Sequence, residues 1–218
     1  MQDRFETRKP LWRRVLRALL IAIVIFIVAS WLAVLMLRFL PPATSAFMIE
    51  RRVGAALHGE HDFHVDYRWV PWSRIAPVAP LAMVAGEDQK FPFHHGFDFE
   101  SIHTAIDQAD QGMRLRGAST ISQQTAKNLF LWNDRSFVRK GIEAWFTVLI
   151  EATWPKRRIL EVYANIAELG DGIYGVEAAS EVYFGEHASQ LTVHQAALLA
   201  AVLPDPRRLH ADRPSSYV

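Results

Sequence analysis

Between Gly86 and Gly96 the chain reads Gly-Glu-Asp-Gln-Lys-Phe-Pro-Phe-His-His-Gly. This stretch holds two adjacent carboxylates, a lysine, two histidines and two phenylalanines. A group that moves protons needs apolar surroundings to tune its proton affinity, and the phenylalanines near Glu87 could supply them. Taken alone, Glu87 suits either an acid or a base. The same residues also suit a charged surface loop, because Glu-Asp pairs are common at helix ends.

Three further clusters carry possible chemistry. In Arg116-Gly117-Ala118-Ser119-Thr120-Ile121-Ser122-Gln123-Gln124, a glycine and hydroxyls precede a helix, with Thr120 and Gln123 at capping-box spacing. Free amides at such a helix start attract an anion such as phosphate, and Lys127 follows within a turn or two. Capping alone accounts for the hydroxyls equally well. Next, helical spacings of three and four place Arg139 and Lys140 beside Glu143, a pattern that by default is a surface ion pair. Finally, Lys156, Arg157 and Arg158 crowd the first turn of a later helix against its dipole, which calls for an anionic partner nearby. His58, His61 and His64 lie close in sequence but at no recognised ligand spacing, so no metal site is assigned there.

The elements that must position these residues follow from pattern and composition. The chain has 218 residues, half of them hydrophobic, enough for one domain and an appendage. A formal charge of +1 gives no overall pull toward nucleic acid. The lack of cysteine excludes disulfides, thiolate metal sites and a cysteine nucleophile. From Ala18 to Leu37 no residue is charged, and a helix of that length spans roughly 30 Å, the thickness of a bilayer core. Arg4, Arg8, Lys9, Arg13, Arg14 and Arg17 precede it against Asp3 and Glu6, so the amino terminus is expected in the cytoplasm and the rest outside. The run is long for a signal peptide and no Ala-x-Ala site closes it, which favours a retained anchor over a cleaved leader or a core helix.

After Pro41-Pro42, Phe47, Met48, Ile49, Val53 and Leu57 predict a short amphipathic helix to about Gly59. Prolines from Pro71 to Pro80 forbid a long helix, and Pro80 is placed to start one that delivers Glu87 near its end. Asp98 is expected to cap a helix with Ile102, Ala105, Ile106 and Ala109 on one face, ended by Gly112. A helix from Thr120 should reach about Leu129. Ser136 caps one with Ile142, Phe146, Leu149 and Ile150 as its stripe, and Pro155 starts one with Ile159, Val162, Tyr163 and Ile166 inward. A turn at Gly170-Asp171-Gly172 and Gly175, a helix from Val176 to Tyr183, and a helix capped by Thr192 and Gln195 and ending at Pro204 complete the chain. Strand signals are sparse, so the fold class is mainly α.

Assembled in order, these residues resemble the family 51 glycosyltransferases that polymerise peptidoglycan, and among them the monofunctional transglycosylases. Glu87, Asp88, Phe91, His94 and Gly96 are similar to the family's Glu-Asp-x-x-Phe-x-x-His-x-Gly, and Gly117 through Gln124 to its Gly-x-Ser-Thr-Ile-x-Gln-Gln. Arg139, Lys140 and Glu143 resemble Arg-Lys-x-x-Glu. Lys156, Ile159, Leu160, Glu161, Tyr163 and Asn165 resemble Lys-x-x-Ile-Leu-Glu-x-Tyr-x-Asn. The resemblance covers about Tyr67 to Val218. It departs at Gly86, where family members more often carry Ala or Ser, at Ile142, where some carry a basic residue, and at the end, where many run on for another helical segment.

The resemblance implies a lysozyme-like, two-lobed, largely helical domain behind a single transmembrane helix, partly sunk in the outer leaflet of the bacterial inner membrane. Its parts would be a cytoplasmic basic tail (1–17), a transmembrane helix (18–37), a juxtamembrane segment (38–66) and a transglycosylase domain (67–218). It implies polymerisation of lipid II, with a lipid-linked glycan strand as donor, into β-1,4-linked strands with inversion and release of undecaprenyl diphosphate. Glu87 would then be the general base on the acceptor 4-hydroxyl, with Asp88 supporting it. Lys127, Arg135 and Lys140 would hold the diphosphate, beside Lys90 and Arg139. Ser119 and Thr120 would add donors, and Gln123 and Gln124 would contact sugar or phosphate. Glu143 would be the second catalytic glutamate, positioning donor groups or a divalent cation, Mg or Mn, that is compatible with the site but not obligatory. Expected partners are the membrane and other cell-wall synthesis or division proteins, with no nucleic acid.

Overall fold

The computed structural model describes residues 11–110, 119–134 and 136–215. It is mainly helical, as the sequence leads one to expect. Helix α1 (Leu11–Phe39) extends past the uncharged run at both ends, because Arg13, Arg14 and Arg17 are good helix formers. It is the one described helix long and apolar enough to cross a membrane. Most of it is exposed, yet Ser30 and Val34 are buried. They lie against α6 (Phe137–Thr153) and the residue that follows it. There the Trp145 indole N–H donates to the Ser30 hydroxyl at 3.0 Å, and the Trp154 indole N–H donates to the Val34 carbonyl at 2.8 Å. Phe26 packs on Trp145 and Phe146. The last carbonyls of α1, orphaned by the end of the helix, are taken up by Arg158, which donates to Leu37 O at 2.9 and 3.2 Å and to Leu40 O at 2.7 Å. Its guanidinium also lies over Trp69 and Trp154.

The predicted caps form, and Ser45, which the sequence reading did not name, caps α2 (Ala46–His58). Asp98 accepts the Ser101 N–H at the start of α4 (Phe99–Asp110). Thr120 and Gln123 close a capping box on α5 (Ile121–Phe130), Ser136 caps α6, and Thr192 and Gln195 close a second box on α9 (Val193–Val202). The apolar face expected for α4 and its end at Gly112 lie outside the described residues. Helix boundaries differ from the expected ones at two prolines. Helix α3 (Val78–Glu87) begins before Pro80, which sits in the first turn where its missing N–H costs nothing, and α9 stops ahead of Pro204.

The glycine-rich turn is a small hairpin. Strand β2 (Glu168–Gly170) runs antiparallel to β3 (Ile173–Tyr174), which pairs in parallel with β1 (Asp66–Tyr67). Strands of two or three residues carry too little alternation to be read from sequence. Helix α8 (Val176–Phe184) follows.

The core gathers around α7 (Lys156–Ile166), whose Ile159, Val162, Tyr163 and Ile166 are all fully buried. From the same helix, Asn165 clips the extended segment ahead of α3, accepting the Val70 N–H at 2.9 Å and donating to the Val70 carbonyl at 3.0 Å. Glu161 accepts the Trp72 N–H at 2.7 Å. Helix α3 is thus fixed at its entry by α7 and along its length by α9, while α5 lies between α6 and α7.

The departure at Gly86 makes a test of this packing. A methyl added there would meet Ala200 Cβ at 3.8 Å, an ordinary contact, on backbone that needs no left-handed geometry. Gly86→Ala is therefore expected to stabilise the fold by about 0.5–1 kcal/mol through lost unfolded-state freedom. Denaturant unfolding measures it, and a lower midpoint would show that the α3–α9 contact is tighter than described.

Candidate active site

Helix α3 ends at Glu87, and the next residue fixes where that end goes. The Asp88 carboxylate is buried and accepts the backbone N–H of Ile121, the first residue of α5, at 2.9 Å. His94 Nε2 lies 2.9 and 3.0 Å from its two oxygens. The Gly96 N–H donates to His94 Nδ1 at 3.1 Å, so the ring proton sits on Nε2 and is given to Asp88. The anion site expected at the start of α5 is therefore present, but it holds the protein's own Asp88. Thr120 and Gln123 are buried in the capping box, and the Thr120 hydroxyl donates to the Gly96 carbonyl at 2.7 Å, so both are scaffold in this arrangement. Ser119 is exposed.

The loop is closed from the other side by α6 and α7. Gly96 has φ +92°, and a Cβ there would stand 2.9 Å from Thr147 Cγ2, so only glycine fits. Lys156 donates to the His94 carbonyl at 2.6 Å and to Glu151 at 2.8 Å, with its ammonium over the Phe91 ring. Ser122 donates to the same Glu151 oxygen. The anionic partners sought for the crowded cations of α7 are thus internal: Glu151 for Lys156, and Glu161 with the carbonyl end of α1 for Arg158.

Glu87 itself is half-buried, and the Gln124 side-chain N–H donates to its Oε2 at 2.7 Å. Gln124 Oε1 accepts from the Tyr163 hydroxyl at 3.0 Å. One turn along the same face of α5 stands Lys127, half-buried, its ammonium 5.2 Å from the centre of the Phe47 ring. Among the described residues no carboxylate lies within ion-pair distance of it. Burial lowers its pKa; the neighbouring charges of Arg139 and Lys140 lower it too, while Glu143 and Glu87 oppose them.

The ion pair on α6 is not a surface one. Glu143 is 2% exposed, with Arg139 on one oxygen at 2.7 Å and Lys140 on the other. The stripe beside it, Phe146, Leu149 and Ile150, closes over the helix and carries Glu143 inward with it, which the spacing of charges alone could not show. Lys90 pairs with Glu100 at 2.6 Å and lies 3.9 Å from Asp98, apart from this cluster. Arg135 lies outside the described residues. A cavity of about 330 Å³ opens between Gln124, Lys127, Asn128 and Tyr163 on one wall and Glu168 and Arg207 on the other.

The donor set does not fit a resident divalent cation. Both oxygens of Glu143 hold cationic side chains, and those of Asp88 hold Ile121 and His94. Among the described residues, the ligand-type atoms that converge within 4.8 Å belong to Glu177, Glu181 and His187, not to His58, His61 and His64. Two of them already have other partners: Glu177 accepts the Ala188 N–H, and Glu181 pairs with Arg68.

A carboxylate held by a neutral amide, with the ammonium of Lys127 one turn along α5, thus stands on motif residues spread from α3 to α7. Comparison with known families assigns this pattern, since the family model described as Transglycosylase matches residues 55–217. The chain belongs to that transglycosylase family. A biosynthetic peptidoglycan transglycosylase of Chromohalobacter salexigens is 55% identical over 206 residues, covering 94% of this chain and 88% of that protein. One of Xanthomonas campestris pv. campestris is 54% identical over 206 residues, covering 94% and 84%. One of Xylella fastidiosa is 51% identical over 211 residues, covering 97% and 85%.

In this transglycosylase-family chain, Tyr163, which the sequence places on an inward stripe and in a family pattern without giving it a role, touches Gln124 at the candidate site. The available signal was a phenol on a buried stripe, which needs a polar partner. Lys127 provides the test of the site as a whole. Because burial lowers its pKa, the unfolded state holds this proton more tightly, and the charged form costs stability that returns as pH rises toward the usual lysine range. Lys127→Met keeps the packing on Phe47 and removes that cost. Its unfolding midpoint near neutral pH is expected above that of the parent; a fall would mean the ammonium is compensated within the fold.

Proposed function

We propose that this chain polymerises lipid II into β-1,4-linked glycan strands, with inversion and release of undecaprenyl diphosphate from a lipid-linked donor strand. The observation that carries the reading is the pairing of a half-buried carboxylate, Glu87, with an ammonium, Lys127, that lies one helical turn from its amide partner and has no carboxylate within ion-pair distance among the described residues. An incoming hydroxyl needs a base, whereas a departing diphosphate needs cations more than a strong acid.

In the proposed step Glu87 takes the proton of the acceptor 4-hydroxyl as its oxygen bonds to the donor anomeric carbon. The bond from that carbon to the diphosphate oxygen breaks, and the pair of electrons leaves with the diphosphate. General-base assistance of this kind is typically worth about 10²–10⁴-fold. Lys127, with Arg139 and Lys140, offsets the charge that develops, and Arg135 belongs to the same set by resemblance. Glu143 holds Arg139 and Lys140 in place rather than touching the reacting atoms. Asp88 acts through position, locking the turn that carries Glu87.

The same reading places the chain in the bacterial inner membrane as a single-pass protein, with residues 18–37 as the span. The basic tail (1–17) would be cytoplasmic, and the juxtamembrane segment (38–66) and a two-lobed catalytic domain (67–218) periplasmic. It is supported by the apolar length of α1 and by the basic residues ahead of it. Lipid II and the lipid-linked strand are the substrates. Other cell-wall synthesis or division proteins are the class of protein partner.

Glu87→Gln tests the assignment in full-length protein, with lipid II as substrate and mass analysis of the products. Polymerisation is expected to fall by at least two orders of magnitude, about the lower bound for losing a general base, while the unfolding midpoint and lipid II binding are kept. Full activity in that variant would remove Glu87 from its role. Parent protein that shortens finished glycan and ignores lipid II would replace the whole reading with a hydrolase.

A further inference from the structure

Gln124 has so far stood among the residues expected to touch sugar or phosphate. Its side chain is committed elsewhere. Nε2 donates to Glu87 Oε2 at 2.7 Å, and Oε1 accepts from Tyr163 at 3.0 Å. An amide can be turned end for end; a carboxylate, which only accepts, favours the Nε2 end, and a second partner on Oε1 makes that end the fixed one. We infer that Tyr163 and Gln124 form a positioning relay: the buried phenol holds the Gln124 amide with its Nε2 end toward Glu87, and the amide in turn keeps the carboxylate aimed.

Tyr163 is fully buried on α7, and its hydroxyl donates to the carbonyl oxygen of Gln124. Burial raises the Tyr163 pKa well above its usual value, and the charges of Glu87 and Asp88 raise it further, so the phenol stays a donor throughout the working pH range. That obliges Oε1 to face the phenol and Nε2 to face the carboxylate. A turned amide would set oxygen against the Glu87 carboxylate and leave the phenol proton without its acceptor. A donor directed at the charged form of a carboxylate favours that form, and it engages Oε2 while leaving Oε1 for the acceptor hydroxyl.

The other charges around Glu87 come from several elements. Asp88 follows it in the chain but is turned to Ile121 and His94; Lys127 lies on α5 and is itself acted on by Glu143, Arg139 and Lys140 of α6. Helix α9, packed on α3, carries one titratable residue, the exposed His194 of its first turn. The amide is therefore the neutral group that adjusts Glu87 within this field.

The relay rests on Glu87 being the base, and the experiment separates the two. The pH dependence of kcat/KM for lipid II polymerisation is measured for the full chain, Tyr163→Phe, Gln124→Met and the double variant. Gln124→Met is expected to move the acidic limb upward by about one unit, the size of a lost hydrogen bond to a charged group. Tyr163→Phe should move it the same way by less, with kcat reduced roughly tenfold or more and KM little changed. In the Gln124→Met background Tyr163→Phe should have no further effect, because it acts through the amide. Additive effects, or a limb unmoved by Gln124→Met, overturn the relay. If Tyr163→Phe does not fold, Gln124→Glu decides, since a second carboxylate at this spot must raise the limb strongly if the side chain touches Glu87. Glu87→Gln that polymerises with the parent's acidic limb would instead defeat the assignment of the base.

Discussion

The joint between Asp88 and the first turn of α5 is the constraint on which the site depends. A buried carboxylate is costly unless its charge is met, and here a backbone amide at the positive end of a helix meets one oxygen while His94 meets both. With those partners Asp88 cannot move without leaving a helix start and an imidazole unpaired. Glu87, one residue before it, inherits that fixity. The neighbouring contacts make the joint stiff: Thr120 and Lys156 hold the carbonyls of Gly96 and His94, and Gly96 lets the backbone approach Thr147. A helix start that looks like a ligand site is thus used to fix the place of Glu87.

Cations are correspondingly sorted into two kinds. Lys156 and Arg158 are spent within the fold, on Glu151, Glu161 and backbone carbonyls, and they tie α7 to the His94 loop and to α1. Lys127 is held in a half-buried place where its charge is disfavoured, with Arg139 and Lys140 nearby to make that worse. A fold selected for stability alone would not gather three positive groups around one buried carboxylate. Sites that bind a diphosphate and must release it have reason to, because the positive charge is organised before the anion arrives and needs no rearrangement when the leaving group forms.

Sequence and structure agree best where a local rule governs. The caps at Asp98, Thr120, Ser136 and Thr192, the stripes of α6 and α7, and the apolar span were all legible, since each depends on a few neighbouring residues and one periodicity. What was not legible depends on where a helix face ends up. Glu143 and Arg139 have the spacing of a surface pair, and only the packing of Phe146, Leu149 and Ile150 makes their environment interior. The anion site at α5 was found in the right place with the wrong occupant, because the pairing of Asp88 with Ile121 spans 33 residues and leaves no local trace. Tyr163 was counted as core, and it is core; its hydroxyl is what gives it a second use.

The anchor adds a length to this arrangement. Helix α6 carries Trp145, which bonds Ser30 of the apolar helix, and one and a half turns earlier carries Lys140 and Arg139. At the rise of an α-helix, Lys140 is about 8 Å along the α6 axis from the contact with α1. Arg158 and Trp154 fasten the far end of α1 at Val34, Leu37 and Leu40, so the helix that would span the bilayer is held at several successive turns and cannot swing as a free tether. A substrate whose diphosphate sits at a fixed height above its lipid tail needs cations at a matching height. Packing the span against the helix that bears those cations sets that height by covalent geometry and by a few indole and guanidinium hydrogen bonds, without relying on how deeply the domain happens to settle into lipid.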